Sequence, residues 1–324
     1  MSRALITGIG GQDGSFLAEL LLERGYDVYG VVRAGADTYP NLHSIADRIE
    51  LIEADLLDQA SIESAIATAR PRELYNLAAP SFVPASWDRP VETAEFAAVG
   101  ATSVLEAIRS VDPSVRFYQA SSSEIFGEPR ETPQTEETPL APVTPYGVAK
   151  AYAHYIVGSY RRRYGLFACS GILYNHESPR RPLDFVTRKV CHAAAAISLG
   201  VAGELWLGDL DARRDWGYAG DYVRAMWLML QQDEPDDFLV ASGESRSVRE
   251  LVQCAFAYVG LDWEEYVHID ESLQRGRAEL HDLVGDPAKA RERLGWRPTL
   301  EFKELVELLV DEELARLEKG SAVR

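Results

Sequence analysis

Short apolar runs alternate with amphipathic stretches through the first half of the chain. This alternation predicts β-α-β units, in which buried parallel strands are joined by helices that cover the sheet. The predicted strands are ALIT (4–7), DVYGVV (27–32), IELIEA (49–54), ELYNLA (73–78), VRFYQA (115–120) and FACSGILY (167–174). The predicted helices lie near residues 14–25, 60–69, 90–110 and 145–164. The regular order predicts an α/β fold built on a Rossmann-type doubly wound parallel sheet.

The alternation becomes less regular after Tyr174. A loop, NHESPRRP, is expected to lead into a helix at 184–199 and a short strand, ELWLG. A further helix near 219–232 and the strand DFLVA (237–241) are expected to rejoin the main sheet. We therefore predict a smaller C-terminal lobe that is interleaved with the Rossmann domain. The predicted Rossmann domain comprises residues 1–174 and 216–261, and the predicted smaller lobe comprises residues 175–215 and 262–324.

The chain is strongly acidic, with 51 Asp and Glu against 33 Lys and Arg and a formal net charge of −18. This charge repels polyanions, so neither nucleic acid nor an anionic membrane is an expected partner. No run of about 18 apolar residues occurs, and the N-terminus resembles a strand rather than a signal peptide, which predicts a cytoplasmic protein. Cys169, Cys191 and Cys254 lie far apart without CxxC spacing, which predicts neither a metal site nor a disulfide.

The N-terminal residues 4–15 form a glycine-rich motif, ALITGIGGQDGS. Thr7, Gly8, Gly11 and Gly14 follow the order TGxxGxxG between an apolar strand and the amphipathic run FLAELLLERG. Glycines at this spacing permit a tight turn and let a phosphate approach the backbone at a helix N-terminus. The motif predicts a dinucleotide-binding site; the alternative is an ordinary strand-to-helix turn.

The end of the second predicted strand decides between NAD and NADP. An acidic residue there binds the ribose hydroxyls, whereas an arginine pairs with a 2′-phosphate. Arg33 directly follows GVV and favours NADP, with a solvated surface arginine as the alternative. Asp37 would reverse this preference if its loop folded back. Asp55 and Leu56, after the third predicted strand, are candidates for contact with the adenine, or for a simple turn.

Residues suited to acid-base chemistry occur between positions 120 and 150. Tyr146 and Lys150 in TPYGVAK are four residues apart, so on a helix their side chains share one face. A nearby ammonium group and an oxidised nicotinamide both favour the phenolate form of Tyr146, which can then accept a hydroxyl proton. Ser122 and Glu124 follow a predicted strand, where the ligand crevice of such a sheet lies. Their alternative role is a serine turn beside a solvated glutamate.

The motifs TGxxGxxG, YNLAA (75–79), SSSE and YxxxK together resemble the extended short-chain dehydrogenase/reductase superfamily. Within it, longer runs are similar to the GDP-mannose 4,6-dehydratase family over nearly the whole chain. These runs are GGQDGSFLAELL, FYQASSSEIFG, TPYGVAKAYAHYIV, YNHESPRR, FVTRKV, GDLDARRDWGYAGDYVRAMWLMLQQ and LGW.

The resemblance implies a redox-neutral dehydration of GDP-mannose with NADP as cofactor. Tyr146 would take the proton of the C4 hydroxyl while hydride passes from C4 to NADP. Glu124 would abstract the C5 proton and help to expel the C6 hydroxyl as water, after which the hydride returns to C6. The product would be GDP-4-keto-6-deoxymannose. Ser122 stands where the family usually has threonine, and the hydroxyl function is retained.

The resemblance also implies binding roles for residues at matching positions. The implied cofactor residues are Thr7, Gly8, Gly10, Gly11, Gln12, Asp13, Gly14, Arg33, Asp55, Leu56, Leu77, Ala78, Ala79, Ser81, Tyr146, Lys150, His176 and Arg181. The implied substrate residues are Ser81, Ser122, Glu124, Asn175, Arg188, Lys189, Arg214 and Arg277. Basic pairs at 180–181, 188–189 and 213–214 agree with a site for a diphosphate, although each pair alone is typical of a solvated surface.

The chain departs from the family pattern after Arg33. It has AGAD where the family usually has a second arginine and serines that contribute to tetramer contacts, so we expect a homodimer or a homotetramer. An alternative within the superfamily is an NADP-dependent nucleotide-sugar epimerase, reductase or decarboxylase. A non-catalytic NADP sensor on the same fold is a further alternative, but it has no need of Ser122, Glu124, Tyr146 and Lys150 together.

Overall fold

The structure is a computed structural model that describes residues 2–35, 38–273 and 282–321. Its strands are β1 (Arg3–Thr7), β2 (Asp27–Val32), β3 (Ile49–Glu53), β4 (Glu73–Asn76), β5 (Arg116–Ala120), β6 (Ala168–Leu173), β7 (Asn175–Glu177), β8 (Leu205–Leu207), β9 (Arg213–Tyr218), β10 (Phe238–Val240), β11 (Ser245–Ser247) and β12 (Val267–Ile269). Its helices are α1 (Gln12–Glu23), α2 (Gln59–Ala69), α3 (Ala85–Asp88), α4 (Pro90–Ala94), α5 (Gly100–Val111), α6 (Pro145–Tyr164), α7 (Val186–Ser198), α8 (Ala219–Met229), α9 (Val248–Tyr258), α10 (Ala288–Leu294) and α11 (Phe302–Ser321).

A parallel sheet with the strand order β10-β6-β5-β4-β1-β2-β3 lies at the centre of the fold. It contains all six predicted strands of the first half and the predicted returning strand, so the doubly wound fold class is confirmed. The strand order reverses between β1 and β4, and such a reversal opens a crevice at the carboxyl ends of the strands. Thr7 pairs with Asn76, and Asn76 pairs with Gln119, so β1, β4 and β5 end at the same level.

Two predicted elements differ from the structure. The predicted helix at 90–110 is divided into α4, a π-helical turn (Glu95–Val99) and α5, because the wider turn interrupts the helical repeat. The predicted loop after Tyr174 begins instead with β7, which pairs with β9. The partner strand reads RRDWGY and lies some forty residues later, so no local apolar pattern revealed this pairing.

Local sequence explains the position of α6, the longest helix beside the crevice. The Thr144 hydroxyl accepts a hydrogen bond from the Gly147 amide at 2.9 Å, and Pro145 occupies the first turn. Gly165 ends the helix with a left-handed φ of 68°. These caps fix the helix over residues 145–164, as the sequence predicts, and thereby fix the height of Tyr146 and Lys150 above the sheet.

Apolar cores cover both faces of the sheet. Helices α1, α8 and α10 contribute to one core, and α2, α5 and α6 contribute to the other. A further core joins α7, α9 and α11. Helices α9 and α10 therefore pack across the predicted domain boundary, since α9 shares a core with the predicted smaller lobe and α10 packs against α8 and β10. The division into two lobes stays a prediction.

No helix in the described parts of the chain is long and apolar enough to cross a membrane. The same residues contain no group of three or more His, Cys, Asp or Glu side chains arranged to hold a metal ion.

Candidate active site

A cavity of about 690 Å³ opens at the carboxyl ends of the central strands, where the strand order reverses. Its size is within the usual range for cofactor and small-molecule sites. The predicted site residues that line it are Gly8, Gly10, Gly11, Gln12, Asp13, Gly14, Arg33, Leu56, Leu77, Ala78, Ala79, Ser81, Ser122, Glu124, Tyr146, Lys150, Asn175, His176 and Arg181. The fold thus brings together residues that lie more than 170 positions apart in the sequence.

The glycine turn is shaped so that only small residues fit. Gly8 has a left-handed φ of 70°, and a Cβ on Gly14 would lie 2.3 Å from the Gly8 carbonyl oxygen. A Cβ on Gly10 would lie 2.3 Å from the Tyr39 ring. Helix α1 begins immediately after Gly11 and presents its N-terminal end to the cavity. This arrangement fits a bound phosphate group, because free amide groups and the helix dipole both favour an anion there.

Thr7 lies beneath the cavity and does not line it. Its hydroxyl donates to the Asn76 side-chain oxygen at 2.6 Å and accepts from the Leu77 and Ala78 amides at 3.1 and 3.2 Å. The Asn76 amide then donates to the Gln119 side-chain oxygen at 2.8 Å. Thr7 therefore ties the ends of β1, β4 and β5 together, which is a supporting contribution to the cavity wall.

Tyr146 and Lys150 project from α6 into the same part of the cavity. The Lys150 Nζ atom lies 5.6 Å from the centre of the Tyr146 ring and donates to the Ala120 carbonyl oxygen at 2.8 Å. Burial lowers the pKa of Lys150 to about 8. Burial also raises the pKa of Tyr146 to about 12, although a hydrogen bond with Ser122 opposes this rise. The Lys150 ammonium group therefore lies beside the Tyr146 ring in the wall of the cavity.

Ser122 and Glu124 reach the cavity from the turn that follows β5. The Ser122 hydroxyl accepts from the Glu124 amide at 3.2 Å, and the Glu124 carboxylate contributes to the high pKa of Tyr146. Gly147 lets α6 approach this turn closely, since a Cβ there would lie 2.5 Å from the Glu124 carbonyl oxygen. Sequence reasoning missed this role of Gly147, although the residue stands inside the TPYGVAK run.

The end of β2 places Arg33 at the wall of the cavity. Its exposed guanidinium group lies 5.3 Å from the centre of the Phe96 ring. Leu56 also lines the cavity, whereas Asp55 is exposed outside it and accepts from the Leu57 amide at 2.9 Å, as in a turn. Asp37, which could reverse the choice of cofactor, lies outside the described residues.

Comparison with known proteins decides the family. Residues 5–309 match the model of the family described as GDP-mannose 4,6 dehydratase. GDP-mannose 4,6 dehydratase 2 of Arabidopsis thaliana is 48% identical over 331 residues, which cover 98% of this chain and 88% of that protein. The chain belongs to the GDP-mannose 4,6-dehydratase family. The family predicted from the sequence motifs is therefore confirmed.

Further similarities of this GDP-mannose 4,6-dehydratase family member are consistent with the family assignment. The GDP-mannose 4,6 dehydratase of Homo sapiens is 46% identical over 343 residues, covering 97% of this chain and 92% of that protein. Among solved structures, the UDP-glucose 4-epimerase of Thermus thermophilus in complex with NAD aligns with a TM-score of 0.84 and 28% identity. That alignment covers 96% of this chain and 98% of the epimerase chain.

The basic residues that the family resemblance assigns to the substrate do not all reach the cavity. Arg188 forms an ion pair with Glu313 at 2.8 Å, and Lys189 donates to the Trp206 carbonyl at 2.7 Å. Arg214 donates to the Arg213 carbonyl at 2.6 Å. None of these three lines the cavity described above, and Arg277 lies outside the described residues. Their binding roles stay predictions.

Aromatic residues that sequence reasoning did not select complete the cavity wall. Tyr39 and Phe96 flank the region of Arg33, and Phe185 lies under the Arg181 guanidinium group at 3.6 Å. Tyr39 stands in a loop without a recognisable motif, and Phe96 lies in the π-helical turn that the pattern did not predict. Only the three-dimensional fold shows that these rings line the cavity and that Tyr39 packs against Gly10 of the glycine turn.

Proposed function

We propose that this protein is an NADP-dependent GDP-mannose 4,6-dehydratase, which converts GDP-mannose to GDP-4-keto-6-deoxymannose. One observation carries the proposal: Ser122, Glu124, Tyr146 and Lys150 line the same cavity as the glycine turn. Membership of the GDP-mannose 4,6-dehydratase family supplies the substrate, because the relatives from Arabidopsis thaliana and Homo sapiens carry that activity in their names.

The cavity fits a nicotinamide dinucleotide. The glycine turn and the start of α1 would hold its diphosphate, and Arg33 would pair with a 2′-phosphate, which favours NADP over NAD. The Thermus thermophilus epimerase, which has a similar fold, was solved in complex with NAD. When bound, the dinucleotide would supply a hydride acceptor for C4 and a hydride donor for C6.

Tyr146 would accept the proton of the C4 hydroxyl in the first step. Burial raises the pKa of Tyr146 to about 12, so the phenolate needs further stabilisation during catalysis. Ser122 and Arg181 already act in that direction, and the ammonium group of Lys150 stands 5.6 Å from the ring. Added positive charge in the cavity would lower the pKa of Tyr146 further.

Glu124 would perform the second proton transfer. A ketone at C4 makes the neighbouring C5 proton acidic, and a carboxylate beside it can abstract that proton and pass it to the C6 hydroxyl, which leaves as water. The proton that Tyr146 took from the C4 hydroxyl would return to C5 when hydride is added at C6. Glu124 is partly buried and lies near Tyr146, so both groups can serve adjacent carbons of one sugar ring. The Glu124 carboxylate is the feature that separates dehydration from simple oxidation at C4.

The test is incubation of the purified protein with GDP-mannose and catalytic NADP, followed by mass spectrometry of the nucleotide sugar. We expect a product that has lost one water and carries a 4-keto group, and a parallel incubation with added NADPH should show no net consumption of NADPH. Stoichiometric loss of NADPH would indicate a reductase. A product of unchanged mass would indicate an epimerase, and either result would overturn the proposed reaction.

We also propose that the chain assembles as a homodimer or homotetramer in the cytoplasm. Large apolar side chains are exposed on neighbouring surfaces of α3, α4 and α6, including Trp87 (62%), Val91 (70%) and Tyr155 (61%). Exposed apolar side chains that form a contiguous patch are typical of a protein interface. Light scattering after gel filtration should give at least twice the mass of 36.0 kDa, and V91E should shift it toward the monomer.

A further inference from the structure

The start of α1 is joined to β7 by a closed group of hydrogen bonds beside the glycine turn. The Asp13 carboxylate accepts from His176 Nε2 at 2.9 Å and from Gln12 Nε2 at 3.0 Å. Gln12 also donates to the His176 carbonyl at 3.1 Å and accepts from the Ser178 hydroxyl at 2.8 Å. The polar side-chain atoms of these residues thus bond mainly to one another, even though Gln12, Asp13 and His176 line the cavity.

The hydrogen-bond partners of His176 define its charge. Its Nδ1 atom lies 2.7 Å from the Tyr174 carbonyl oxygen, which can only accept a hydrogen bond. Its Nε2 atom lies 2.9 Å from the Asp13 carboxylate, which when ionised can also only accept. Both ring nitrogens must therefore carry a proton, and His176 is an imidazolium paired with a carboxylate.

The imidazole ring rests on an aromatic platform from α8. The ring of Tyr222 stacks on His176 with centroids 4.5 Å apart and an interplanar angle of 19°. Trp296 meets Tyr222 edge-on at 5.9 Å, and both aromatic residues are buried in the core. A cationic ring gains electrostatic stabilisation from an aromatic face, so the platform favours the charged form and fixes its plane.

We propose that Asp13 and His176, with Tyr222 beneath the imidazolium, are positioning residues that hold the phosphate-binding turn against β7. In this role they orient the backbone amides of the turn toward a dinucleotide. Their own charges form an ion pair with each other and do not contact the dinucleotide. The family resemblance implies instead that Asp13 and His176 contact the cofactor directly. The proposal rests on the nicotinamide dinucleotide site proposed above.

The charges around the pair agree with this role. Burial alone would raise the pKa of Asp13, but His176, Gln12 and Arg181 together lower it to about 2. Burial would lower the pKa of His176, but Asp13 raises it above the ordinary value, against the opposing charge of Arg181. The other ionisable groups that sense Asp13 are Tyr118 on β5 and the acid-base groups on α6. The imidazolium therefore also offsets a negative charge that faces Tyr146 and Lys150.

The pH dependence has a defined sign. The pair is intact above the low pKa of Asp13 and below the raised pKa of His176, so the pH range in which it is intact extends above the ordinary histidine pKa of 6.5. As pH rises through the pKa of His176, the imidazolium loses a proton and the pair loses its attraction. We therefore expect NADP affinity to fall on the alkaline side, and this fall should be smaller in a variant that lacks the ion pair, in which Lys150, with a pKa of about 8, still loses its proton.

The experiment uses the full-length protein labelled with ¹⁵N-histidine, with the His176 signals identified by their loss in H176Q. In the wild type at pH 6.5, the ordinary pKa of histidine, both ring nitrogens should have mainly the shifts of protonated imidazolium. In D13N, His176 should become a neutral imidazole at this pH. NADP affinity measured by calorimetry should fall roughly tenfold to a hundredfold, since a charge-assisted bond is lost.

The matched control is D237N, which breaks a second ion pair, Arg161–Asp237, at the opposite end of the sheet. D237N should lower the melting temperature and leave NADP affinity unchanged. A neutral His176 in the wild type, or wild-type NADP affinity in both folded D13N and folded H176Q, would overturn the proposal. If the wild type binds no dinucleotide, the proposed cofactor fails, whereas the state of His176 still decides whether the ion pair exists.

Discussion

Two groups of predicted polar residues have different outcomes in the structure. Ser122, Glu124, Tyr146 and Lys150 were predicted from motifs at the end of a strand and on one face of a helix, and all four line one cavity. Arg188, Lys189 and Arg214 were predicted largely from family positions and paired basic residues, and none of them lines that cavity. The position of a residue at the end of a strand or helix follows from the topology of the sheet, so it can be predicted from the sequence. The position of a pair of basic residues does not follow from the topology in this way.

Arg188 shows what a charged pair can do instead. The Glu313 carboxylate is only 2% exposed, and it accepts from Arg188, His192 and Arg316 at distances of 2.7–2.8 Å. A buried carboxylate needs compensating cations, so it recruits the nearest ones from α7 and α11. The sequence around Arg188 does not predict this ion pair, because Glu313 follows 125 residues later.

The largest expected effect would come from a change in the first group, which consists of Ser122, Glu124, Tyr146 and Lys150. Y146F removes the group proposed to accept the C4 proton, and kcat should fall roughly 10²- to 10⁴-fold. NADP affinity should remain within about threefold of the wild type, since the ring still fills its place. Y152F is the matched control, because Tyr152 lies on the same helix and is 46% exposed. Equal turnover by Y146F and Y152F would remove Tyr146 from the mechanism.

Lys150 sharpens the comparison because it is a buried cation whose hydrogen bond goes to a carbonyl rather than to a carboxylate. Burial lowers the pKa of Lys150 from 10.5 to about 8, so the unfolded chain binds this proton more tightly than the folded protein. Its contribution to the free energy of unfolding therefore rises as pH increases between those two values.

K150M should lack that increase. The difference in free energy of unfolding between wild type and K150M should change by on the order of 3 kcal/mol in favour of the wild type over this pH range. Urea unfolding at several pH values measures it. Parallel stability curves for the two proteins would mean that Lys150 keeps an ordinary pKa in the fold.

Sequence reasoning reached the fold and much of the cavity because both depend on local patterns. The apolar runs fixed the central strands, and the TGxxGxxG and TPYGVAK motifs lie at defined ends of helices. What it missed depends on distant partners: β7 pairs with β9, Tyr39 packs over Gly10, and Thr7 serves β4 rather than the cavity. Such contacts depend on the topology of the fold, and no residue spacing in the sequence predicts them.

In the second group, which consists of Arg188, Lys189 and Arg214, we expect a smaller effect. Replacement of Arg188 should lower the free energy of unfolding more than replacement of its neighbour Lys189. R188A should lower the free energy of unfolding by about 2 kcal/mol, because it removes a bond to a buried carboxylate. K189A should change it by less than about 0.5 kcal/mol, since Lys189 is bonded near the surface. Urea unfolding provides the comparison. A large rise in KM for GDP-mannose without loss of stability in R188A would show instead that Arg188 binds the substrate.

The smallest expected effect concerns Arg33, an arginine predicted from a strand end rather than from a charged pair. If position at a strand end is the reliable signal, Arg33 should behave like the first group and contribute to the cavity. R33A should weaken NADP binding about tenfold and leave NAD binding almost unchanged, because only NADP has the 2′-phosphate. Calorimetry with both dinucleotides measures the ratio, and R48A provides an exposed arginine outside the cavity as control. If R33A weakens the binding of NAD and NADP equally, the guanidinium group supports the cavity wall beside Phe96 and does not bind the 2′-phosphate.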